Sequence, residues 1–169
     1  KNPTIISILL KYYKSVDVNY LTPSGITPLG LAVAGKEAGL NSIRVLLNDA
    51  RVDPNLHRKI PPLIKAIELG LNASVALLLS HPSIDISFQI IVNKRPLSPL
   101  ICCLNRRNWP SLKLLLQHPS SHLFNDDISS IKTLREIEGF LINLENAEPE
   151  LLMLVKRAIM PTIEEETNK

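Results

Sequence analysis

The stretch Ser24–Asn55 reads SGITPLGLAVAGKEAGLNSIRVLLNDARVDPN, and its order of residue types decides the fold. Gly25 offers a turn, Thr27 is placed to cap a helix, and Pro28 is tolerated at a first helical position. Leu29, Leu31, Ala32 and Val33 make that helix apolar and small. A Gly-containing break follows at Lys36–Leu40, about two residues longer than the matching breaks downstream. Asn41–Asn48 then reads as a second helix with Ile43, Leu46 and Leu47 on one face. Asp53-Pro54-Asn55 ends the unit.

The same order returns twice. Ile60-Pro61-Pro62-Leu63-Ile64-Lys65-Ala66 opens a unit whose second helix starts at Asn72, carries Val75, Leu78 and Leu79, and closes near His81-Pro82-Ser83 and Asp85. Leu97-Ser98-Pro99-Leu100-Ile101-Cys102-Cys103 opens a third, with Trp109-Pro110 starting its second helix ahead of Leu112, Leu115 and Leu116. Upstream, Ile5, Ile6, Leu9 and Leu10 predict an inward helical stripe over Lys1–Lys14, followed by Asp17-Val18-Asn19. The prolines Pro28, Pro62 and Pro99 recur at a spacing that signals stacked two-helix repeats.

On these residues a family resemblance stands. Gly25-Ile26-Thr27-Pro28-Leu29-Gly30-Leu31-Ala32 resembles the ankyrin-repeat signature, with Gly30 where that family carries His. Pro61 and Ser98 replace the Thr in the next two units. The resemblance spans residues 4–122 and implies an all-α ankyrin-repeat helical solenoid with short finger loops. The expected units are 1–19 (partial), 20–55, 56–87 and 88–122. Residues 123–163 read as a helical cap or degenerate terminal repeat that shields the last apolar face, and 164–169 as a flexible tail. In the cap, Asp126-Asp127 begins a helix running to about Leu144 with Ile128, Ile131, Leu134, Ile137 and Leu141 in one stripe. A second helix starts at Glu148-Pro149-Glu150, ends with Lys156-Arg157 in its last turn and is stopped by Pro161. These charges suit the helix dipole.

The longest finger, Ser87–Ser98, joins the β-branched run Ile90-Ile91-Val92 to Asn93-Lys94-Arg95-Pro96, the pattern of a hairpin. Trp109 is expected to cover a helix junction, and Tyr12, Tyr13 and Tyr20 to support packing and loops.

Composition narrows the function. Hydrophobic residues make up 45% of the chain but aromatics only 4%, which suits close helix stacking over a sandwich. No apolar run has the length of a membrane span. The adjacent Cys102 and Cys103 point in different directions on a helix and are read as reduced core residues of a cytoplasmic protein. Up to His122, 14 basic residues face 6 acidic ones; beyond it 5 face 10. The repeats are basic and the cap acidic, a division that concerns partners rather than fold.

Contacts in ankyrin-like arrays are made by finger tips and exposed first-helix positions. Carried over, the resemblance implies Pro23, Ser24, Ile26 and Ala34 in the first full unit, and His57, Arg58, Ile60, Glu68 and Leu69 in the second. In the third it implies Lys94, Arg95, Leu97, Asn105 and Arg106. A basic run, Arg58, Lys59, Lys94, Arg95, Arg106 and Arg107, suits a protein partner with an acidic surface. Nucleic acid is disfavoured because aromatics are not interleaved with the cations. His118 and His122 flank Pro119 and make a poor metal pair, and no phosphate loop, nucleophile elbow or HExxH is present. The expectation is a non-enzymatic interaction module without cofactor or metal. The alternative is a targeting or substrate-recruiting domain of a larger enzyme or microbial effector, with the chemistry elsewhere. Asn55 also resembles the ankyrin asparagines that cytosolic dioxygenases hydroxylate; its first expected role is to bond the finger turn.

Overall fold

The computed structural model describes residues 2–125, 128–143 and 148–159. They are mostly helical, with one two-stranded sheet among them. The chain divides into two compact units, Lys1–Asp85 and Ile86–Lys169.

The first unit holds α1 (Pro3–Tyr12), α2 (Pro28–Ala34), α3 (Leu40–Leu47), α4 (Pro62–Glu68) and α5 (Asn72–Leu79). Local chemistry sets where α2 starts: Thr27 Oγ1 accepts the Gly30 N–H at 3.0 Å and Pro28 takes the first helical position. α4 starts on Pro61-Pro62 without a side-chain cap. The longer link between α2 and α3 is a 3₁₀ turn, Lys36–Gly39. At Gly39 a Cβ would stand only 1.9 Å from the Ala32 carbonyl oxygen, so the link can lie against α2 only with glycine there.

Helices pair as α2 with α3 and α4 with α5, and the pairs meet through α2 on α4 and α3 on α5. α1 packs on α3. Leu29, Val33, Ile43, Leu63, Ile64, Ile67, Val75 and Leu78 are buried between them. Burying one such side chain is worth about 1.5–3 kcal/mol, so a seven- or eight-residue helix that could not hold alone is held by its neighbours.

α1 departs from expectation. It is shorter than Lys1–Lys14, and Ile5 and Leu9 are exposed rather than inward, at 55% and 40%. One packed side on α3 gives shelter to Ile6 and Leu10 only in part, and none of its residues is fully buried.

Two polar bridges tie successive loops. Asn19 Nδ2 donates to the Arg51 carbonyl at 2.8 Å, and its Oδ1 accepts the Asp53 N–H at 2.9 Å. Asn55 repeats the pattern with the Ser83 carbonyl at 2.7 Å and the Asp85 N–H at 2.9 Å. Each asparagine is itself set by an aspartate two residues earlier, Asp17 or Asp53, which accepts its backbone N–H. Arg51 adds a clamp. Its guanidinium donates to both Asp49 carboxylate oxygens, at 2.9 and 2.7 Å, and to the Lys14 carbonyl at 2.7 Å.

The second unit opens with β1 (Ile90–Val92) and β2 (Arg95–Leu97), an antiparallel hairpin in the register Ile90 to Leu97 and Val92 to Arg95. Asn93 and Lys94 turn it with φ of 50° and 63°, the double positive φ of a type I′ turn. α6 (Pro99–Arg106) is capped by Ser98, whose hydroxyl accepts the Ile101 N–H at 3.2 Å. α7 (Trp109–Gln117) is capped by Asn108. A 3₁₀ segment, Pro119–Asn125, leads to α8 (Ile128–Ile142) and α9 (Pro149–Ile159). α6 packs on α7 and α8, and α9 on α7 and α8. Leu134, Ile137 and Leu141 of α8 are buried, as its stripe predicts, with Leu151 and Val155 of α9. Trp109 lies against Phe140, ring centroids 5.5 Å apart, and so covers the α7–α8 junction. Lys113 of α7 donates to Glu150 of α9 at 2.6 Å. The expected cap at Asp126-Asp127, the placement of the Ile128 side chain, Leu144, the Pro161 stop and the 164–169 tail lie outside the described residues.

Candidate functional site

Two fingers and two helices of the first unit converge on one cleft of about 290 Å³. The first finger turns at Gly25, whose φ of +76° is open to glycine and strained for other residues. Thr22 Oγ1 accepts the Ile26 N–H at 3.0 Å and so folds the finger back on itself. In the second finger, His57 Nδ1 lies 2.8 Å from the Asn55 carbonyl oxygen, so that nitrogen carries the donated proton. The fingers touch: a Cβ on Gly25 would come within 2.6 Å of Arg58 Cβ, so the Arg58 stem lies flat on the glycine.

Ser24, Ile26, Ala34, His57 and Ile60, all expected contact residues, line the cleft together. Ile26 and Ile60 face it from opposite fingers and remain 38% and 37% exposed. Gly30 and Ala34 of α2 and Pro62 of α4 also line it. The cations among the lining residues are Lys59 and Lys65, and none of those residues is acidic. Lys65 Nζ stands 3.4 Å from Glu68, a loose pair at i, i+3.

Other expected contacts do not join the cleft. Pro23 is exposed at the finger tip, Arg58 backs Gly25, and Glu68 and Leu69 end α4 half-buried. In the second unit Arg95, Leu97 and Asn105 line a shallow, open hollow with Lys132 and Glu136, whereas Lys94 and Arg106 are exposed outside it. Arg107, counted in the basic run, has another part. It ends α6 at φ 51° and its guanidinium carbon sits 4.9 Å over the Phe140 ring.

Lys65 and Gly30 were not among the contact positions that the family pattern supplies. Lys65 stands at the place in α4 that Leu31 holds in α2, and a polar residue there, between Ile64 and Ala66, is the signal that this position faces outward.

The cysteines and histidines of the second unit have structural surroundings. Cys102 and Cys103 are buried and not disulfide-bonded, and burial, with Cys102 alongside, pushes the Cys103 thiol well above the usual range. A thiol so held is a poor nucleophile. His118 Nδ1 accepts the Ser120 N–H at 3.1 Å, and His122 Nδ1 lies 3.0 Å from the Pro119 carbonyl oxygen. Among the described residues no group of His, Cys, Asp and Glu is arranged to hold a metal ion, and no helix is long and apolar enough to cross a membrane.

Comparison with family models, with curated proteins and with solved structures finds no match to this chain. Ile26 and Ile60, with Gly25, Gly30, Lys59 and Lys65, give the cleft apolar surface beside positive charge.

Proposed function

We propose that this chain is a non-enzymatic protein-binding module whose two-helix units stack as ankyrin-like repeats and capture an acidic segment of a partner protein. The observation that carries the proposal is the convergence of five separately expected contact residues, Ser24, Ile26, Ala34, His57 and Ile60, on one cleft. The packing of α1, α3 and α5 in series, with α2 on α4, supports the repeat reading, as do the matching Asn19 and Asn55 bridges. A surface fixed by packed helices and bridged loops loses little conformational entropy on binding. The cations around it, Lys59, Lys65 and Arg58, raise the association rate with an acidic partner. The buried thiols of Cys102 and Cys103, neighbours on α6 and not joined in a disulfide, suit a reducing, cytosolic setting.

Selection from a random peptide display library against the immobilised chain tests this reading. Peptides enriched in Asp and Glu are expected, and the double variant Ile26→Asp, Ile60→Asp is expected to lose them without a change in Tm. A selection that returns no binder, or binders indifferent to that variant, contradicts the proposal.

A further inference from the structure

We infer that the cleft between the two fingers is an anchor pocket for a single large apolar side chain, tryptophan best, from a peptide whose neighbouring residues are acidic. The inference rests on the protein-binding reading and makes it specific. Size comes first. Pockets for drug-sized ligands run from about 300 to 1,000 Å³. A cleft of about 290 Å³ falls just below that range. It is too small for a folded segment and ample for one aromatic ring system, the kind of side chain that dominates interface energetics.

Gly30 keeps the space open. A Cβ built there would come 3.2 Å from Ile26 Cγ2 and 3.4 Å from Thr27 Oγ1. Any side chain at this position would therefore press on the Ile26 wall, and a long one would occupy the cleft. Ala34, one turn on, is the next small residue along the same face. Ile26 and Ile60 then supply two apolar walls that an entering ring would remove from water.

Charge supplies the flanks. Lys59 and Lys65 are the lining cations, with no acidic residue among the lining set. Lys65 makes a loose 3.4 Å contact with Glu68, which a ligand carboxylate can displace. An apolar anchor with carboxylates on either side meets both features at once.

The test is fluorescence anisotropy with the full chain and four labelled probes. These are acetyl-Glu-Glu-Trp-Glu-Glu-amide, the versions with Leu or Ala at the centre, and the Trp version with Lys flanks. The Trp-centred acidic peptide is expected to bind at least about tenfold more tightly than the Ala-centred one and the Lys-flanked one, with the Leu version between. Gly30→Leu should abolish the preference for Trp over Ala. Ala34→Leu fills the cleft from a second position and should do the same, so a fold defect in one variant does not decide the outcome. Equal binding of the Trp- and Ala-centred acidic peptides overturns the anchor pocket and leaves acidic-partner binding standing. Unchanged Trp preference in both filled variants overturns it too, as does binding of none of the four probes. In that last case, binders from the random selection still uphold the broader reading.

Discussion

The Oδ1 of Asn55 accepts the backbone N–H of Asp85 at 2.9 Å, while the same carboxamide donates to the Ser83 carbonyl at 2.7 Å. Asn19 makes the matching pair to Asp53 and Arg51. One short side chain thus satisfies a donor and an acceptor of the next loop, work that backbone pairing does in a sheet. Removing it leaves two loop groups to find water. Asn55→Ala and Asn19→Ala are each expected to cost about 1–2 kcal/mol, read from urea unfolding of the full chain. A loss near zero would mean the bridges are surface decoration.

Helix starts give a graded prediction. Thr27 and Ser98 cap α2 and α6 through their hydroxyls, whereas Pro61 offers α4 none. Thr27→Ala and Ser98→Ala should each lose about 1 kcal/mol. Thermal or urea unfolding measures both, and Thr27→Ser should recover most of the first loss.

This part of the fold was legible because capping is local. Thr27-Pro28 and Ser98-Pro99 announce a helix from four residues of chemistry, and β-branched residues before Asn93-Lys94 announce a hairpin in the same way. Burial is not local. Ile5 and Leu9 stand in a helical stripe but are exposed, because α1 packs on α3 along one side of the helix. The asparagine bridges were hidden for a related reason: Asp53-Pro54-Asn55 displays a turn, but its partner Ser83-Ile84-Asp85 is chosen by stacking. Within the cleft, family position pointed to Ser24, Ile26, Ala34, His57 and Ile60. It passed over Gly30, whose contribution is the space that a missing side chain leaves.

Acid should expose the Asp49–Arg51 clamp. The Arg51 guanidinium, hydrogen-bonded to the carboxylate, holds Asp49 at about 2 against an ordinary 3.8. A carboxyl depressed on folding stabilises fully above its unfolded value and loses that contribution as pH falls from about 3.8 towards 2. Asp49→Asn should therefore destabilise at neutral pH, by about 1 kcal/mol for a half-buried pair that water still reaches, and less at pH near 2. Unfolding curves at the two pH values check it; a difference independent of pH contradicts it.

The thiols report on the core of the second unit. Cys102 and Cys103 are buried, and burial keeps Cys103 protonated at neutral pH. Both should react with a thiol reagent such as DTNB only as fast as the unit opens, and at once in denaturant. Fast labelling of the native chain would show that α6 is not packed as described.

The decisive measurement is a ¹H–¹⁵N correlation spectrum of the full chain titrated with acetyl-Glu-Glu-Trp-Glu-Glu-amide. The predicted result is shifts concentrated on the amides of Ser24–Gly30, Ala34 and Leu56–Lys65. Shifts confined instead to the exposed face of α1 or to α9 would contradict the cleft as the binding surface, and none at all would contradict the anchor pocket.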